Sequence, residues 1–314
     1  MSSTRRPRTL TAALVTAAAL GAVVACGSPG VAAPDRVPVA SSSSAPAPVD
    51  PTGTTAMGTQ RTITRDGHDV AFYVTAGSGA VIVLDAGGGE DASYWNALVP
   101  VLAQQTGATV VTYDRTGSGR SSDVPGAFSA AAAADDLAAG LQGLGLVREP
   151  VVLVSHSLAG EVATYLVDDH PGLVQGAVLV DANVPQFFTP QETARLVAAT
   201  DEQAAQVRAA PQTRQTRQAL AVADGFGPAH TAYHALTWPS DLPVAVIVSE
   251  RTPMPAGSPD AEAWRAAQQH FADAAPDRTL VTARDSSHDV ALDRPDVVEQ
   301  QIGDVLAQVR SQVR

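Results

Sequence analysis

The chain has 314 residues, of which 45% are hydrophobic and 17% are charged, and this composition is typical of a soluble globular protein. Its 20 basic and 32 acidic residues give a formal net charge of −12, so no excess of positive charge is available to neutralise the phosphates of a nucleic acid. The single cysteine excludes an internal disulfide framework and a cysteine-based zinc cluster. We therefore expect no nucleic-acid partner.

The N-terminal segment, residues 1–25, is predicted to be a signal peptide. Arg5, Arg6 and Arg8 form a positive start, and the apolar run after them is shorter than the roughly 20 residues of a membrane-spanning helix. The residues that lead up to Cys26 resemble a bacterial lipobox, in which the cysteine becomes the lipidated first residue of the mature protein. We expect the protein to be exported and to contact the membrane only through a lipid anchor, on the outer face of the cytoplasmic membrane. Secretion behind an ordinary signal peptide is the alternative.

Residues 26–58 form a low-complexity segment rich in proline, serine and alanine. Such a composition buries too little apolar surface to offset the entropy lost on ordering, so we expect a disordered linker that acts as a flexible tether. The remaining residues, 59–314, are enough for one α/β domain with an insertion. The predicted organisation is therefore a signal peptide, a lipidated cysteine with its tether, and one folded domain.

The folded domain begins with a predicted β-hairpin over residues 61–74, with its turn at Asp66-Gly67. After it come short apolar runs that do not alternate with polar residues, at 80–84, 109–113, 151–154, 177–180, 244–248 and 279–283. Such runs are typical of strands covered on both faces of a parallel sheet. Helical patterns separate them, over residues 94–105, 130–144, 159–169, 261–274 and 295–313.

This alternation of strands and helices predicts a doubly wound, mostly parallel α/β sheet. It is interrupted over residues 183–241, where helical patterns occur at 191–210 and 211–223 and no clear strand is present. We expect this insertion to form a helical cap over the strand ends. Its aromatic residues are candidates for the lining of an apolar pocket, namely Phe187, Phe188, Phe226, Tyr233 and Trp238.

The strongest local motif joins the apolar run at 151–154 to the helix predicted at 159–169. It reads Ser-His-Ser-Leu-Ala-Gly, with Ser157 at its centre. A small-x-Ser-x-small turn between a buried strand and a helix is the setting of a nucleophilic serine, because the sharp turn lifts the hydroxyl clear of the backbone. Glycines usually occupy the two flanking positions. This chain has Ser155 and Ala159 there, which are also small.

Two glycine-containing loops follow earlier predicted strands. Residues 85–89 read Asp-Ala-Gly-Gly-Gly, a turn that lets a backbone N–H point at a developing oxyanion. Residues 114–121 read Asp-Arg-Thr-Gly-Ser-Gly-Arg-Ser, and we expect Asp114 and Ser121 to hold this loop in place rather than to take part in chemistry. Near the C-terminus, Ser-His at 287–288 follows the last predicted strand and precedes the closing helix.

Together and in this order, these motifs resemble those of serine-nucleophile members of the α/β-hydrolase superfamily, over residues 59–314. The resemblance implies an α/β-hydrolase fold with Ser157 as nucleophile and His288 as general base. It also implies that the backbone N–H groups of Gly88 and Leu158 stabilise the oxyanion. By contrast, the histidine inside the turn is too constrained to act as base on its neighbour.

The acid that would orient the catalytic histidine is open between several residues. Family members often carry it about three residues after the penultimate predicted strand, but that position is Thr252, which cannot serve. Glu250 lies near it. Some members carry the acid one strand earlier, where this chain has Asp181. We prefer Asp181, with Glu250 as the alternative acid and Asp260 as an outside candidate.

The remaining chemistry-bearing residues predict no further site. His230 and His234 have the i, i+4 spacing of a metal-binding pair, but no third ligand stands close to them in the sequence, so we expect a cap or surface role and no metal. No nicotinamide, flavin or phosphate-binding motif occurs, so we expect no cofactor.

The sequence therefore predicts a serine hydrolase that cleaves a small-molecule carboxylic ester with a small or medium hydrophobic group, through an acyl-enzyme intermediate. Serine in the turn argues against epoxide hydrolases and haloalkane dehalogenases, which use aspartate there.

Two alternatives to an ester hydrolase remain. One is an aminopeptidase-type amide hydrolase, and the other is a non-catalytic binding lipoprotein that has kept the fold.

Overall fold

The computed structural model describes residues 54–55 and 57–312. The predicted signal peptide, Cys26 and the tether up to residue 53 lie outside the described residues. Thr54–Thr55, inside the predicted tether, pairs with the strand that begins at Gly58. Within the described part of the chain, every helix is too short or too polar to cross a membrane.

The sheet has nine strands in the order β1-β2-β3-β5-β4-β6-β7-β8-β9. Their bounds are β1 Thr54–Thr55, β2 Gly58–Arg65, β3 His68–Thr75, β4 Val81–Asp85, β5 Thr109–Asp114, β6 Val151–His156, β7 Gly176–Val180, β8 Val244–Ser249 and β9 Arg278–Ala283. Strands β1 to β3 pair antiparallel, β3 pairs antiparallel with β5, and the pairs from β5 to β9 are parallel. The predicted doubly wound, mostly parallel sheet is confirmed.

The helices alternate with the strands. They are α1 Leu98–Thr106, α2 Ala130–Gly143, α3 Ala159–Asp169, α4 Pro190–Ala209, α5 Arg214–Ala223, α6 Phe226–His234, α7 Pro259–Asp273, α8 Val290–Asp293 and α9 Pro295–Gln312. Successive strand residues point to opposite faces, which places Val83 and Ile82 in separate cores. Helices α2, α3 and α7 cover the first face, and α1 and α9 cover the second. Strands β4 to β8 are buried along their whole length, which explains why their sequences do not alternate.

One predicted helix begins later than expected. The helical pattern at 94–105 is split in the structure into a 3-10 turn, Ala92–Trp95, and α1. Asp91 caps the 3-10 turn by accepting a hydrogen bond from the Ser93 N–H, and the chain turns again before α1 starts. The structure therefore has two short elements where the sequence pattern predicts one helix.

The insertion between β7 and β8 contains helices α4, α5 and α6 and a 3-10 turn, Pro185–Phe187. Helix α5 starts three residues after Pro211 because Thr213 caps it, with its side chain accepting from the Thr216 N–H. Sequence analysis missed α6, whose first turn contains Gly227 and Pro228, both poor helix formers. Proline is tolerated in a first turn because its missing N–H would have no helical partner there.

Candidate active site

Ser157 occupies the sharp turn between β6 and α3. Its backbone is left-handed, with φ of 54°, a conformation that costs energy for any residue other than glycine and is often found at functional sites. The Ser157 N–H donates to Val180 O at 3.3 Å, and the Asn183 N–H donates to Ser157 O at 2.8 Å. A methyl group at Gly160 would overlap the Asn183 carbonyl oxygen, so only glycine allows this close approach.

Three side chains from the carboxyl edge of the sheet form a continuous hydrogen-bonded chain. Ser157 follows β6, Asp181 follows β7, and His288 lies in the loop after β9. The Ser157 hydroxyl lies 2.9 Å from His288 Nε2, and His288 Nδ1 donates to Asp181 Oδ2 at 2.8 Å. This arrangement lets the imidazole take a proton from the serine hydroxyl while the carboxylate orients the ring.

Asp181 is fully buried and accepts more than one further hydrogen bond. Ser249 donates to it from its backbone N–H at 3.1 Å and from its hydroxyl at 2.7 Å, and Trp264 donates from its indole N–H at 2.9 Å. Burial by itself raises the pKa of Asp181, but the bonds from His288, Ser249 and Trp264 outweigh it and the pKa is lowered. Asp181 therefore stays ionised beside the imidazole. Nothing in the sequence pattern had singled out Ser249 or Trp264.

The other acid candidates make different contacts. Glu250 is exposed, and its Oε2 accepts a hydrogen bond from the Asp285 N–H at 2.5 Å. Asp260 pairs with Arg195 at 3.0 Å. Of the three carboxylates considered from the sequence, the structure brings Asp181 to the ring of His288.

Gly88 and Leu158 both border the cavity that contains Ser157 and His288. Among the described residues, neither N–H donates to a protein acceptor. The buried Arg115 fixes the loop around Gly88, because its guanidinium donates to the carbonyl oxygens of Ala86 and Gly87. The two N–H groups are therefore available to an oxyanion on the substrate.

Arg115 also forms a buried ion pair with Asp85. The loop at residues 114–121 is held in place by hydrogen bonds of its side chains. Asp114 accepts hydrogen bonds from the Ala92 N–H at 2.9 Å and the Tyr73 hydroxyl at 2.9 Å. The Ser121 hydroxyl donates to the Asp114 carbonyl oxygen at 2.5 Å. Asp114 and Ser121 thus brace the loop, in agreement with the sequence-based expectation.

His156, next to Ser157, faces away from it. Its Nδ1 lies 3.2 Å from Glu90 Oε2 and its Nε2 lies 3.1 Å from the His288 carbonyl oxygen, so both ring nitrogens face acceptors. Burial by itself lowers the pKa of His156, but Glu90 and the carbonyl outweigh it and raise the pKa from its ordinary value of 6.5. Glu90 Oε2 also accepts from the Gly87 N–H at 2.7 Å. The pair ties the oxyanion loop to the loop of the histidine base.

The insertion supplies one wall of the cavity. Of the aromatic residues proposed to line a pocket, Phe188 and Phe226 do so, together with the aliphatic Leu196 and Val222. Phe187, Tyr233 and Trp238 are instead buried in the packing of the insertion against the sheet. The cavity wall is therefore largely apolar.

The two histidines with metal-pair spacing bind separate partners. His230 Nε2 lies 3.1 Å from Glu161 Oε1, and His234 Nδ1 donates to the Pro185 carbonyl oxygen at 2.7 Å. No cluster of three or more potential metal ligands occurs within residues 54–55 and 57–312. His230 and Glu161 border the cavity, a feature that sequence analysis did not predict.

Comparison with known proteins bears on the fold of the chain. Residues 79–223 match the sequence model of the alpha/beta hydrolase fold. An uncharacterized protein of Mycobacterium tuberculosis is 37% identical over 116 residues, 37% of this chain and 33% of that protein. The putative carbamate hydrolase RutD of Caulobacter vibrioides is 33% identical over 102 residues, 32% of this chain and 36% of that protein. The matched segments span about a third of the length of these relatives.

Among solved structures, a thermophilic esterase from Thermogutta terrifontis aligns with a TM-score of 0.55 and 22% identity. The alignment covers 81% of this chain and 100% of the esterase. At this level of identity the likeness concerns the fold. The family match over residues 79–223 and the shared architecture of the esterase both support an α/β-hydrolase fold for this chain.

Proposed function

We propose that this protein is a serine hydrolase that cleaves a carboxylic ester of a small or medium substrate through an acyl-enzyme intermediate. The observation that carries the proposal is the unbroken chain of hydrogen bonds from Asp181 through His288 to Ser157. Its position beside a cavity with an apolar wall suits a substrate with a hydrophobic group. A protein that only binds a ligand has no need for this chain of bonds.

In the first half of the reaction, the Ser157 hydroxyl oxygen attacks the ester carbonyl carbon while its proton passes to His288 Nε2. The N–H groups of Leu158 and Gly88 donate to the oxyanion that forms. When the tetrahedral intermediate collapses, the bond to the alcohol oxygen breaks. The leaving alcohol takes the proton from His288, and the acyl group stays on Ser157 as an ester.

In the second half, a water molecule gives its proton to His288 and attacks the acyl carbon. The second tetrahedral intermediate releases Ser157, which regains a proton from His288, and the carboxylic acid leaves. Asp181 remains ionised throughout and stabilises the charged imidazole. The cycle needs no group beyond the protein and water.

Covalent labelling of the full chain with a fluorophosphonate tests this proposal. We expect a mass adduct that maps to Ser157, and its loss in both Ser157→Ala and His288→Ala. The folded state of each variant is checked by circular dichroism. A folded wild-type protein that gives no adduct and hydrolyses no p-nitrophenyl ester would instead be a binding protein with this fold.

We further propose that the protein is exported and anchored through a lipid on Cys26, which rests on the signal-like residues 1–25 and the lipobox-like residues before the cysteine. The test compares the wild type with Cys26→Ser in a bacterial host. The wild type should partition into the membrane fraction and the variant should not. Equal partition of both proteins would contradict the lipid anchor.

A further inference from the structure

A buried charged pair connects the sheet domain to the insertion at the wall of the cavity. Glu161 lies in the first turn of α3, one turn after Ser157, and His230 lies in α6. Glu161 is 5% exposed and His230 is 3% exposed, and Glu161 Oε1 lies 3.1 Å from His230 Nε2. The mechanism proposed above uses neither side chain.

The hydrogen-bond partners define the charge state of this pair. His230 Nδ1 faces the Phe226 carbonyl oxygen at 2.8 Å while Nε2 faces Glu161, so both nitrogens must donate and the ring is an imidazolium. Burial by itself lowers the pKa of His230, but the Glu161 carboxylate outweighs it and the pKa is raised. Asn183 Nδ2 also donates to Glu161 Oε1, at 2.5 Å.

The protein donates hydrogen bonds to one of the two carboxylate oxygens of Glu161. Both donors reach Oε1, whereas Oε2 has no hydrogen-bond partner among the described residues. The apolar neighbours that line the same cavity, Phe188, Leu196 and Phe226, have no side-chain donor to offer it. Glu161, which borders the cavity that contains Ser157, therefore has an acceptor oxygen that the protein does not use.

We propose that Glu161 Oε2 accepts a hydrogen bond from the substrate, and that the preferred ester carries a hydroxyl or N–H donor on the group held in this cavity. The inference rests on the proposed function and narrows its substrate class from plain hydrophobic esters to esters with a donor. His230 leaves the charge of Glu161 balanced, so the site selects a hydrogen-bond donor without requiring a cation. A donor matched to a buried ionised acceptor favours such a substrate by about 10- to 100-fold over an isostere without it.

The test uses two pairs of esters that differ by a hydroxyl in place of a methyl group. One pair carries the difference in the acyl group, p-nitrophenyl 6-hydroxyhexanoate and p-nitrophenyl heptanoate. The other carries it in the alcohol, 4-hydroxybutyl hexanoate and pentyl hexanoate, followed by acid release. We expect the wild-type kcat/KM to favour the hydroxylated member at least about tenfold in one pair, which also identifies the side of the ester that Glu161 contacts.

Glu161→Gln is the informative variant. The donors from Asn183 and His230 would hold the amide oxygen in the place of Oε1, so the amide NH₂ would replace the open acceptor with a donor. The substrate hydroxyl can accept from that NH₂, but the bond to a neutral amide is weaker than one to a carboxylate, so the ratio between paired substrates should fall several-fold. Asp224→Asn is the matched control. Its carboxylate borders a second cavity behind Glu161 and His230 but not the one with Ser157, so its ratio should stay that of the wild type.

The outcomes separate this inference from the proposed function. If neither pair is hydrolysed and Ser157 does not react with the fluorophosphonate, the hydrolase proposal itself fails. If the esters are cleaved and the wild type shows no preference in either pair, only the role of Glu161 is overturned. A preference that is undiminished in Glu161→Gln, or that falls equally in Asp224→Asn, overturns it as well.

Discussion

Two histidine–glutamate pairs, Glu90 with His156 and Glu161 with His230, occur in the region of Ser157, and they differ in what surrounds the carboxylate. Glu90 and His156 join two loops of the sheet domain, and Glu90 Oε2 is shared between His156 and a backbone N–H. The Glu90 side chain is 27% exposed, whereas that of Glu161 is 6% exposed. The same chemical pair therefore braces two loops in one place, and in the other it leaves a carboxylate oxygen that we propose binds the substrate.

The largest effect should come from the chain of hydrogen bonds from Asp181 through His288 to Ser157. Asp181→Asn should lower kcat by about 10⁴-fold, because the amide can stabilise the wrong tautomer of His288 and cannot stabilise its charged form. Steady-state hydrolysis of both members of each ester pair measures the loss. The loss of kcat should be similar for hydroxylated and plain esters. It is the reference against which the smaller changes expected at the two histidine–glutamate pairs are compared.

Glu250→Gln is the control for that experiment, since Glu250 is the other carboxylate that the sequence offers near His288. Its Oε2 binds the Asp285 N–H, at the surface, and the variant should keep nearly all activity. If Glu250→Gln lost activity and Asp181→Asn kept it, the assignment of the acid would be wrong.

A change in the Glu90–His156 pair should lower kcat for every substrate. His156→Gln removes the donor to the His288 carbonyl oxygen and weakens the fixation of Glu90, so we expect kcat to fall by about 10- to 100-fold with little change in KM. The same change in the other pair, His230→Gln, should alter mainly the KM of the hydroxylated ester. If both variants changed the substrate ratio equally, the proposed division of roles would be wrong.

The contact between the serine turn and the insertion is expected to limit stability. Gly160→Ala forces a methyl group into the Asn183 carbonyl oxygen and should lower the free energy of unfolding by about 1–3 kcal/mol. Gly303→Ala is the matched control in α9, where a methyl group meets nothing within 4 Å, and it should raise the free energy by about 0.5–1 kcal/mol. Urea unfolding of both variants checks this, and equal effects would contradict the close approach.

The smallest effect should be the pH dependence of stability from the pair on the sheet side. The pKa of His156 is raised from 6.5, so its contribution is complete below pH 6.5 and is lost as pH rises through the folded-state pKa. The pKa of Glu90 is lowered from 4.5, since the bonds from His156 and Gly87 outweigh burial, so its contribution is present above pH 4.5 and lost on acidification. The pair therefore stabilises the fold most between pH 4.5 and 6.5.

Unfolding free energies of wild type and His156→Gln, measured by denaturant inside that interval and well above it, test the sign. The difference between the two proteins should shrink as pH rises above 6.5. A difference that grows with pH would mean that His156 is neutral in the folded protein.

The sheet and the serine turn could be predicted because they depend on local pattern. Side chains of a strand covered on both faces must all be apolar, so β4 to β8 appear in the sequence as unbroken apolar runs. The turn at Ser157 requires small neighbours and a following helix, which the sequence also contains. These two properties determined the fold and the candidate nucleophile.

The partners across the site were decided by tertiary structure. Whether Asp181 or Glu250 meets His288 depends on which strand end lies beside the loop after β9, a relation between residues more than 30 positions apart. The pairing of Glu161 with His230 required α6, whose glycine and proline hide it from pattern analysis. Local sequence dictates backbone conformation through side-chain periodicity, whereas the meeting of distant polar groups is set only when the helices and strands pack.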